Sequence, residues 1–336
     1  MSTKKKITYT IVLTIVCVIL SGIVGILSVF YGTREIDFSS ILKALLDMSS
    51  TELEVLIIKE RISRTLFSML AGASLSVSGI LMQSITRNPI ADPSVLGVNT
   101  GAALFVVIGI AFFGICSANE FIIFGLIGAG ITALFVYGAG SIGKGGLTPV
   151  KLALTGVATS AALSSLVTAI ILPRGELMDI YRFWQVGSVG GVTTDNLLLV
   201  VPFLIITMAI SIACSSSFNA LAMGDDMAIA LGVNVKFLRI IAAVCGVMLC
   251  GVITALAGPI SFIGIMAPHI TRLIVGLDYK YLFPVSAVLG SCLLTLSDIV
   301  GRVLGRPGEI EVGIITAFIG APILLFIATR SKGASI

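Results

Sequence analysis

The sequence predicts an all-α, polytopic membrane protein with about ten transmembrane helices. Of its 336 residues, 57% are hydrophobic and 11% are charged, against roughly 25% charged residues in a soluble domain. The mean hydropathy is +1.13. A soluble fold of this size cannot bury that much apolar surface, because its exterior must meet water. The composition excludes a soluble enzyme, a protein with a nucleic-acid partner and a disordered scaffold, and makes the lipid bilayer the expected surroundings.

Nine stretches without Lys, Arg, Asp or Glu predict the helices, because a membrane span needs about 20 apolar residues. In chain order they are Ile7–Thr33, Thr65–Thr86, Pro93–Asn119, Phe121–Gly143, Leu152–Pro173, Asn196–Gly224, Ile240–Thr271, Tyr281–Ser297 and Val312–Thr329. The run from Ile240 is too long for one span. Gly258-Pro259 interrupts it, since proline lacks an N–H and disfavours helix in the preceding residue. We expect one helix to about Ala257 and a shorter one over Ile260–Val275, which makes ten.

The charge distribution predicts the orientation. An even number of helices places both termini on one side, and the Lys4-Lys5-Lys6 end predicts that this side is the cytoplasm. In this topology, 12 of the 21 Lys and Arg residues face the cytoplasm and 9 face the outside. No charged segment is long enough to form a separate soluble domain, so residues 1–336 are expected to form a single transmembrane domain.

The longest cytoplasmic loop contains a candidate docking helix. Its sequence is Met223-Gly224-Asp225-Asp226-Met227-Ala228-Ile229-Ala230-Leu231-Gly232. The two glycines are expected to bound a short helix with Asp225 and Asp226 in its first turn, where the helix dipole favours acids. Met227, Ala230 and Leu231 form an apolar stripe in this interpretation. The stripe could lie on lipid headgroups, although the acids disfavour an anionic leaflet, or it could dock into a groove of a soluble partner.

Three arginines stand at the predicted outer ends of two helices. Arg61 and Arg64 share one helix face just before the run that starts at Thr65, and Arg302 follows the run that ends at Ser297. Arginine offers a rigid fork for carboxylates, so these residues could bind acidic groups of an external partner. The alternative is that they are anchors at the membrane interface. Asp298 is expected to form an i, i+4 ion pair with Arg302.

Two predicted helices carry small or hydroxyl side chains. The helix from Leu152 contains Thr155, Thr159, Ser160, Ser164 and Thr168. Ser160, Ser164 and Thr168 are spaced four residues apart, so they could line a polar path or allow close helix packing. The helix from Thr65 has a small face, which we expect to pack against neighbouring helices: Ala71, Gly72, Ser76, Ser78 and Gly79.

The residues also exclude several kinds of site. One His and six Cys without a C-x-x-C give no expected metal site. The segment from Gly138 to Gly145 resembles a P-loop, but Gly145 stands where Ser or Thr should bind Mg²⁺ and the segment follows a helix rather than a strand. We therefore expect no cofactor bound by this chain. The absence of a G-x-S-x-G opposes an intramembrane enzyme, and the absence of a midplane acid opposes an ion-coupled secondary transporter.

Three groups of residues together carry a family resemblance. The first group runs from Arg61-x-x-Arg64 through Gly72-Ala73, Ser78-Gly79 and Gln83 to Arg87-Asn88-Pro89-Ile90-Ala91-Asp92-Pro93 and Leu96-Gly97. The second group is Gly224-Asp225-Asp226 with Ala230-Leu231-Gly232. The third group begins with Gly258-Pro259-Ile260-Ser261-Phe262-Ile263-Gly264 and Ala267-Pro268-His269-Ile270-x-Arg272. It ends with Asp298-Ile299-Val300-x-Arg302 and Gly313. The pattern resembles the FecCD/BtuC-like family of ABC importer permeases, the iron–siderophore and vitamin B12 branch.

The resemblance implies a ten-helix permease of the BtuC-like, type II importer fold in the cytoplasmic membrane of a bacterium. It also implies a second permease subunit, identical or different, two cytoplasmic ATPase subunits that hold ATP and Mg²⁺, and an extracytoplasmic binding protein. The chain itself is then no enzyme. The substrate that it implies is a ferric siderophore, with cobalamin and haem as alternatives.

The resemblance further implies roles for particular residues. Residues 216–235 become a cytoplasmic coupling loop that docks on the ATPase, with its contacts at Met223, Gly224, Asp225, Asp226, Met227, Ala228, Ala230, Leu231 and Gly232. Arg61, Arg64 and Arg302 match arginines that receive glutamates of the binding protein. The hydroxyl side chains at Thr155, Thr159, Ser160, Ser164 and Thr168 border the translocation path.

Overall fold

A computed structural model of the chain describes residues 3–32, 53–142 and 148–331, and the secondary structure of these residues is helical. The helices are α1 Thr3–Phe30, α2 Leu53–Thr86, α3 Val98–Ile108, α4 Ala118–Ser141, α5 Pro149–Ile171, α6 Gly175–Val186, α7 Thr194–Ala213, α8 Ser215–Ala222, α9 Asp225–Ala230, α10 Val235–Ala257, α11 Ile263–Val275, α12 Tyr279–Leu304 and α13 Val312–Ser331. A 3-10 turn precedes α3 and a π-helical turn extends it, over Pro93–Leu96 and Gly109–Phe113. Gly143-Lys144 of the P-loop-like sequence and Thr33 lie outside the described residues.

The helices account for the ten predicted spans. Within the described residues, six helices are long and apolar enough to cross a membrane, namely α2, α4, α5, α7, α10 and α12. Four shorter apolar helices lie in α1, α3, α11 and α13. The predicted all-α, polytopic architecture is therefore confirmed.

Helix α2 begins 12 residues before the predicted start at Thr65. The charged residues before Thr65 interrupt the apolar run but not the helix. Val55 and Ile58 on this first part are buried and pack against Val29 and Phe30 at the end of α1. The expectation that the first two arginines stand at a helix end is therefore wrong, because apolar contacts on one face continue the helix past its charges.

The other boundaries differ where backbone geometry interrupts an apolar run. The run from Asn196 contains two helices, α7 and α8, which meet at Cys214. The break at Gly258-Pro259 is present, and α11 begins at Ile263 rather than at Ile260. Gly258 and Phe262 have φ values of +73° and +72°, so the residues between them form a non-helical connection.

Helix α2 lies at the centre of the bundle and packs against α10, α11 and α12. Its small face permits backbone contact. A Cβ added to Gly72 would overlap the carbonyl oxygen of Gly290, and one added to Gly79 would overlap that of Gly264. These positions leave room only for hydrogen, so the small residues let the helix backbones touch. The predicted packing of this face is confirmed, and α2 is fixed between its neighbours.

Candidate functional site

The short helix predicted from two glycines is present between α8 and α10. Helix α9 spans Asp225–Ala230 and has both acids in its first turn. Gly224 precedes it at φ +114° and Gly232 follows it at φ +82°. Residues with a side chain rarely adopt these backbone conformations. The N–H of Gly232 bonds to the carbonyl oxygen of Ile229 at 2.9 Å, which closes the last turn.

Asp225 holds α9 against the transmembrane helices. Arg87, directly after α2, donates from Nη2 to Oδ1 of Asp225. Arg239 on α10 donates from Nη2 to Oδ2 at 2.9 Å. Ala228, on the same side of α9, is fully buried. Asp225, which is 38% exposed, and Ala228 therefore position α9 in this structure, and their predicted contacts with the ATPase stay predictions.

The opposite side of α9 is an exposed apolar surface. We call Met223, Met227, Ile229 and Leu231 the α9 surface; each is between 48% and 65% exposed. Asp226, Ala230 and Gly232 are exposed beside it. Such an apolar patch on a connecting segment between transmembrane helices marks an interaction site. Ile229, which is 61% exposed, was missed by the single-stripe prediction, because a six-residue helix with one buried residue exposes most of its circumference.

At the predicted outer end, Arg61 and Arg302 point towards the C-terminal end of α1. Arg61 donates from Nη1 to the carbonyl oxygens of Val29 at 3.1 Å and Phe30 at 3.2 Å. Arg302 donates from Nη1 to the carbonyl oxygen of Ser28 at 3.0 Å. The last carbonyl groups of a helix lack intrahelical partners, and basic side chains satisfy them. Both arginines are buried, so in this structure their forks anchor α1.

Arg64 lies between two carboxylates. Its Nη2 donates to Asp298 Oδ1 at 2.7 Å, and its Nη1 donates to Glu309 Oε2 at 2.7 Å. Asp298 also pairs with Arg302 at 2.9 Å, which confirms the predicted i, i+4 ion pair. Within the described residues, Arg64 contacts an acidic side chain, Glu309, that is 33% exposed. The docking role of the three arginines stays a prediction.

The five hydroxyl residues of α5 do not share one face. Thr159 is buried and donates to the carbonyl oxygen of Thr155 at 2.7 Å. Ser164 and Thr168 are exposed, and Thr168 donates to the carbonyl oxygen of Ser164 at 3.0 Å. Ser160 is half-buried between the two groups. Only the outer part of the predicted stripe, at Ser164 and Thr168, is therefore directed away from this chain.

The family assignment rests on nearly the whole chain. A profile of the FecCD transport family matches residues 16–330. The chain belongs to the FecCD transport family. Its members are permease subunits of ABC transporters, so the chain is a multi-pass membrane protein and not an enzyme, and a separate partner subunit hydrolyses ATP. The described residues contain no group of three or more His, Cys, Asp or Glu that could hold a metal ion.

Several relatives are 40% identical to this chain, and two of them are siderophore permeases. The probable siderophore transport system permease protein YfiZ of Bacillus subtilis (strain 168) aligns over 303 residues, which cover 90% of this chain and 91% of that one. The ferric enterobactin transport system permease protein FepD of Escherichia coli (strain K12) aligns over 304 residues, with coverage of 90% and 91%. These relatives confirm the predicted family membership.

A solved transporter structure has the same fold. It is an inward-facing conformation of a metal-chelate type ABC transporter, with a TM-score of 0.83 and 26% sequence identity. The match covers 96% of this chain and 99% of the other. The predicted BtuC-like, type II importer fold is therefore confirmed.

Proposed function

We propose that this FecCD permease is one half of the membrane channel of an ABC importer for a ferric siderophore. An extracytoplasmic binding protein delivers the solute, and two cytoplasmic ATPase subunits supply the energy. The names of the relatives favour an iron chelate over cobalamin or haem, since those relatives carry siderophores and ferric enterobactin. In the proposed topology both termini are cytoplasmic, and residues 216–235 form the coupling loop.

The α9 surface supports this proposal, because exposed apolar side chains on a short helix are suited to a groove of a soluble partner such as the ATPase. Its four exposed apolar side chains project from α9 and the residues beside it, and Asp225 holds this helix to α2 and α10 through Arg87 and Arg239. A clamped helix moves with the transmembrane helices rather than bending away from them. Closure of the ATPase subunits around ATP therefore displaces α9, and the clamp passes that displacement to α2 and α10.

The exposed face of α5 supports a second permease subunit. Ser164, Ser165 and Thr168 point outwards beside the small residues Ala161 and Ala162. Small and hydroxyl side chains favour close contact between membrane helices. In the proposed dimer, this face contacts the second subunit or borders the path between the two subunits. The two halves then rock against each other, so that the path opens to one side of the membrane at a time.

The coupling role is tested by placing a charge on the α9 surface. Ile229→Asp should weaken ATPase binding, since an apolar side chain buried in a groove contributes about 2 kcal/mol, or roughly 30-fold in affinity. The matched control is Leu53→Asp, because Leu53 is 61% exposed at the predicted outer end of α2. Copurification of the ATPase with each variant from nanodiscs is the measurement. Equal copurification with both variants would refute the coupling role of the α9 surface.

The substrate is tested by uptake into proteoliposomes that contain the assembled transporter. ATP is supplied at the cytoplasmic side and ion gradients are collapsed. Radioactive iron bound to a hydroxamate siderophore, to enterobactin or to citrate is compared with labelled cobalamin. We expect ATP-dependent uptake of one ferric chelate. Uptake of cobalamin alone, or uptake that follows an ion gradient and ignores ATP, would contradict the proposal.

A further inference from the structure

Arg64 uses its three nitrogen atoms on two different carboxylates. Nε and Nη2 both donate to Asp298, with distances of 3.1 Å and 2.7 Å to Oδ1. Nη1 donates to Oε2 of Glu309 at 2.7 Å. The guanidinium is thus bound as a fork on one side and through a single nitrogen on the other. Arginine forks of this kind are the usual way in which proteins bind carboxylates.

The two carboxylates differ in how firmly they are held. Asp298 is 1% exposed and pairs with Arg302 as well as with Arg64. Glu309 is 33% exposed and lies on the connection between α12 and α13. Among the described residues, its ion pair is the one with Arg64. Asp298 is therefore the fixed counterion of Arg64, and Glu309 is the replaceable one.

The backbone around Glu309 is anchored, so its side chain can leave Arg64 without unfolding the connection. The N–H of Ile310 bonds to the carbonyl oxygen of Gly301 at 3.1 Å, and the N–H of Gly313 bonds to that of Gly187 at 3.0 Å. Rotation about the bonds of the Glu309 side chain is enough to free Nη1. The exchange is not costly, because a partner carboxylate takes the place of the Glu309 carboxylate on Nη1 while Nε and Nη2 keep Asp298.

The surrounding positive charges are bound elsewhere. Arg61, Arg302 and Arg306 donate to carbonyl oxygens at the end of α1 and just after it. Arg64 is 12% exposed, and its nitrogen towards Glu309 is the one directed to an exposed group. An acidic side chain of a partner protein that reaches this position therefore finds Arg64 already paired with Glu309.

We propose that Glu309 is an exchangeable internal counterion that occupies the carboxylate position of a partner on Arg64. This inference rests on the proposed function, in which an acidic side chain of the extracytoplasmic binding protein contacts Arg64. Docking replaces the Glu309 carboxylate with the partner carboxylate, while Asp298 keeps the guanidinium oriented. Glu309 thus lowers the affinity of the permease for the binding protein. When no binding protein is docked, Glu309 balances the charge of Arg64, because Asp298 is shared between Arg64 and Arg302.

The test is the affinity of the transporter's own binding protein for the permease–ATPase complex in nanodiscs. Glu309→Gln keeps the size of the side chain and removes the competing charge. It should lower the dissociation constant about threefold to fivefold, the range of a partially exposed ion pair. Glu309→Ala, which removes the side chain, should act in the same direction. Asp195→Asn is the matched control, since Asp195 is also an exposed acid at this end, next to Thr194, which bonds to Ser63 at 2.7 Å. It should change the affinity by less than about twofold.

A double-mutant cycle separates this inference from the proposed docking role. Arg64→Gln should weaken docking, and Glu309→Gln should have no further effect in its presence; Arg64→Lys replaces it if the first variant fails to assemble. If neither Arg64 variant weakens docking, the docking role of Arg64 is wrong. If they weaken docking but Glu309→Gln binds like the unaltered complex or like Asp195→Asn, the exchange is overturned while the proposed function stands.

Discussion

Replacing Asp298 by Asn should destabilise the protein more than any other loss of a single charge at this end of the molecule. The Asp298 carboxylate is 1% exposed and accepts from Arg64 at 2.7 Å and from Arg302 at 2.9 Å. Asn keeps the size of the side chain but removes the charge that both guanidiniums share. Hydrogen bonds to charged groups contribute about 1.5–3 kcal/mol each, and removing one partner of a buried ion pair costs about 3–5 kcal/mol. Because Arg64 keeps Glu309, we expect a loss of about 3 kcal/mol.

The measurement is unfolding in mixed detergent micelles, followed by circular dichroism. Asp195→Asn is the control, since Asp195 is an exposed acid in the first turn of α7. Loss of its favourable interaction with the helix dipole should cost less than about 1 kcal/mol. If Asp298→Asn proves as stable as Asp195→Asn, the buried pairs contribute nothing measurable and the reasoning from burial is refuted.

Two further predictions concern α2 and the connection after it. Gly79→Ala should lower the thermal midpoint of unfolding, because a Cβ there would meet the carbonyl of Gly264 and overpacking costs about 1–3 kcal/mol. The control is Gly130→Ala, where a Cβ meets nothing within 4 Å, and it should be neutral or stabilising. Equal thermal midpoints of the two variants would contradict the close packing of α2. Burial raises the pKa of the Asp92 carboxyl. The protonated carboxyl therefore contributes fully to stability below the unfolded-state pKa of about 3.9. This contribution is lost as the pH rises through the higher folded-state pKa. Asp92→Asn keeps an acceptor for the Ser94 N–H, which bonds at 3.0 Å. It should gain thermal stability relative to the unaltered protein as the pH rises above the unfolded-state pKa of about 3.9. Parallel pH profiles of the two proteins would contradict the raised pKa.

Local patterns in the sequence were enough to predict the spans and the short helix α9. A charge-free run of about 20 residues reports a transmembrane helix directly. Gly224 and Gly232 mark the boundaries of α9 because their positive φ values are accessible mainly to glycine. The pair between Asp298 and Arg302 was predictable for the same reason, since i and i+4 lie next to each other on any helix.

Contacts between distant segments could not be predicted in this way. Asp225 meets Arg87 across 138 residues, and Arg64 meets Asp298 across 234. Before these contacts are known, a charged residue beside an apolar run resembles an exposed interfacial group. The structure shows instead that Arg61 and Arg302 are buried against α1. Whether a charged residue faces the protein interior depends on its packing against distant segments. The hydrophobic periodicity of a single sequence carries little information about that packing.

Helix α2 connects the two candidate sites physically. Arg64 lies in its predicted outer part, and Arg87 follows its last residue. The two are 23 positions apart, which is roughly 35 Å along a helix at 1.5 Å per residue. Between these points Gly72 and Gly79 contact the backbones of α12 and α11. We propose that these close backbone contacts couple a displacement of α9 to α2, α11 and α12. In the proposed mechanism, the outer site at Arg64 therefore changes position as a unit when the ATPase subunits close, and release of the binding protein needs no separate signal across the membrane.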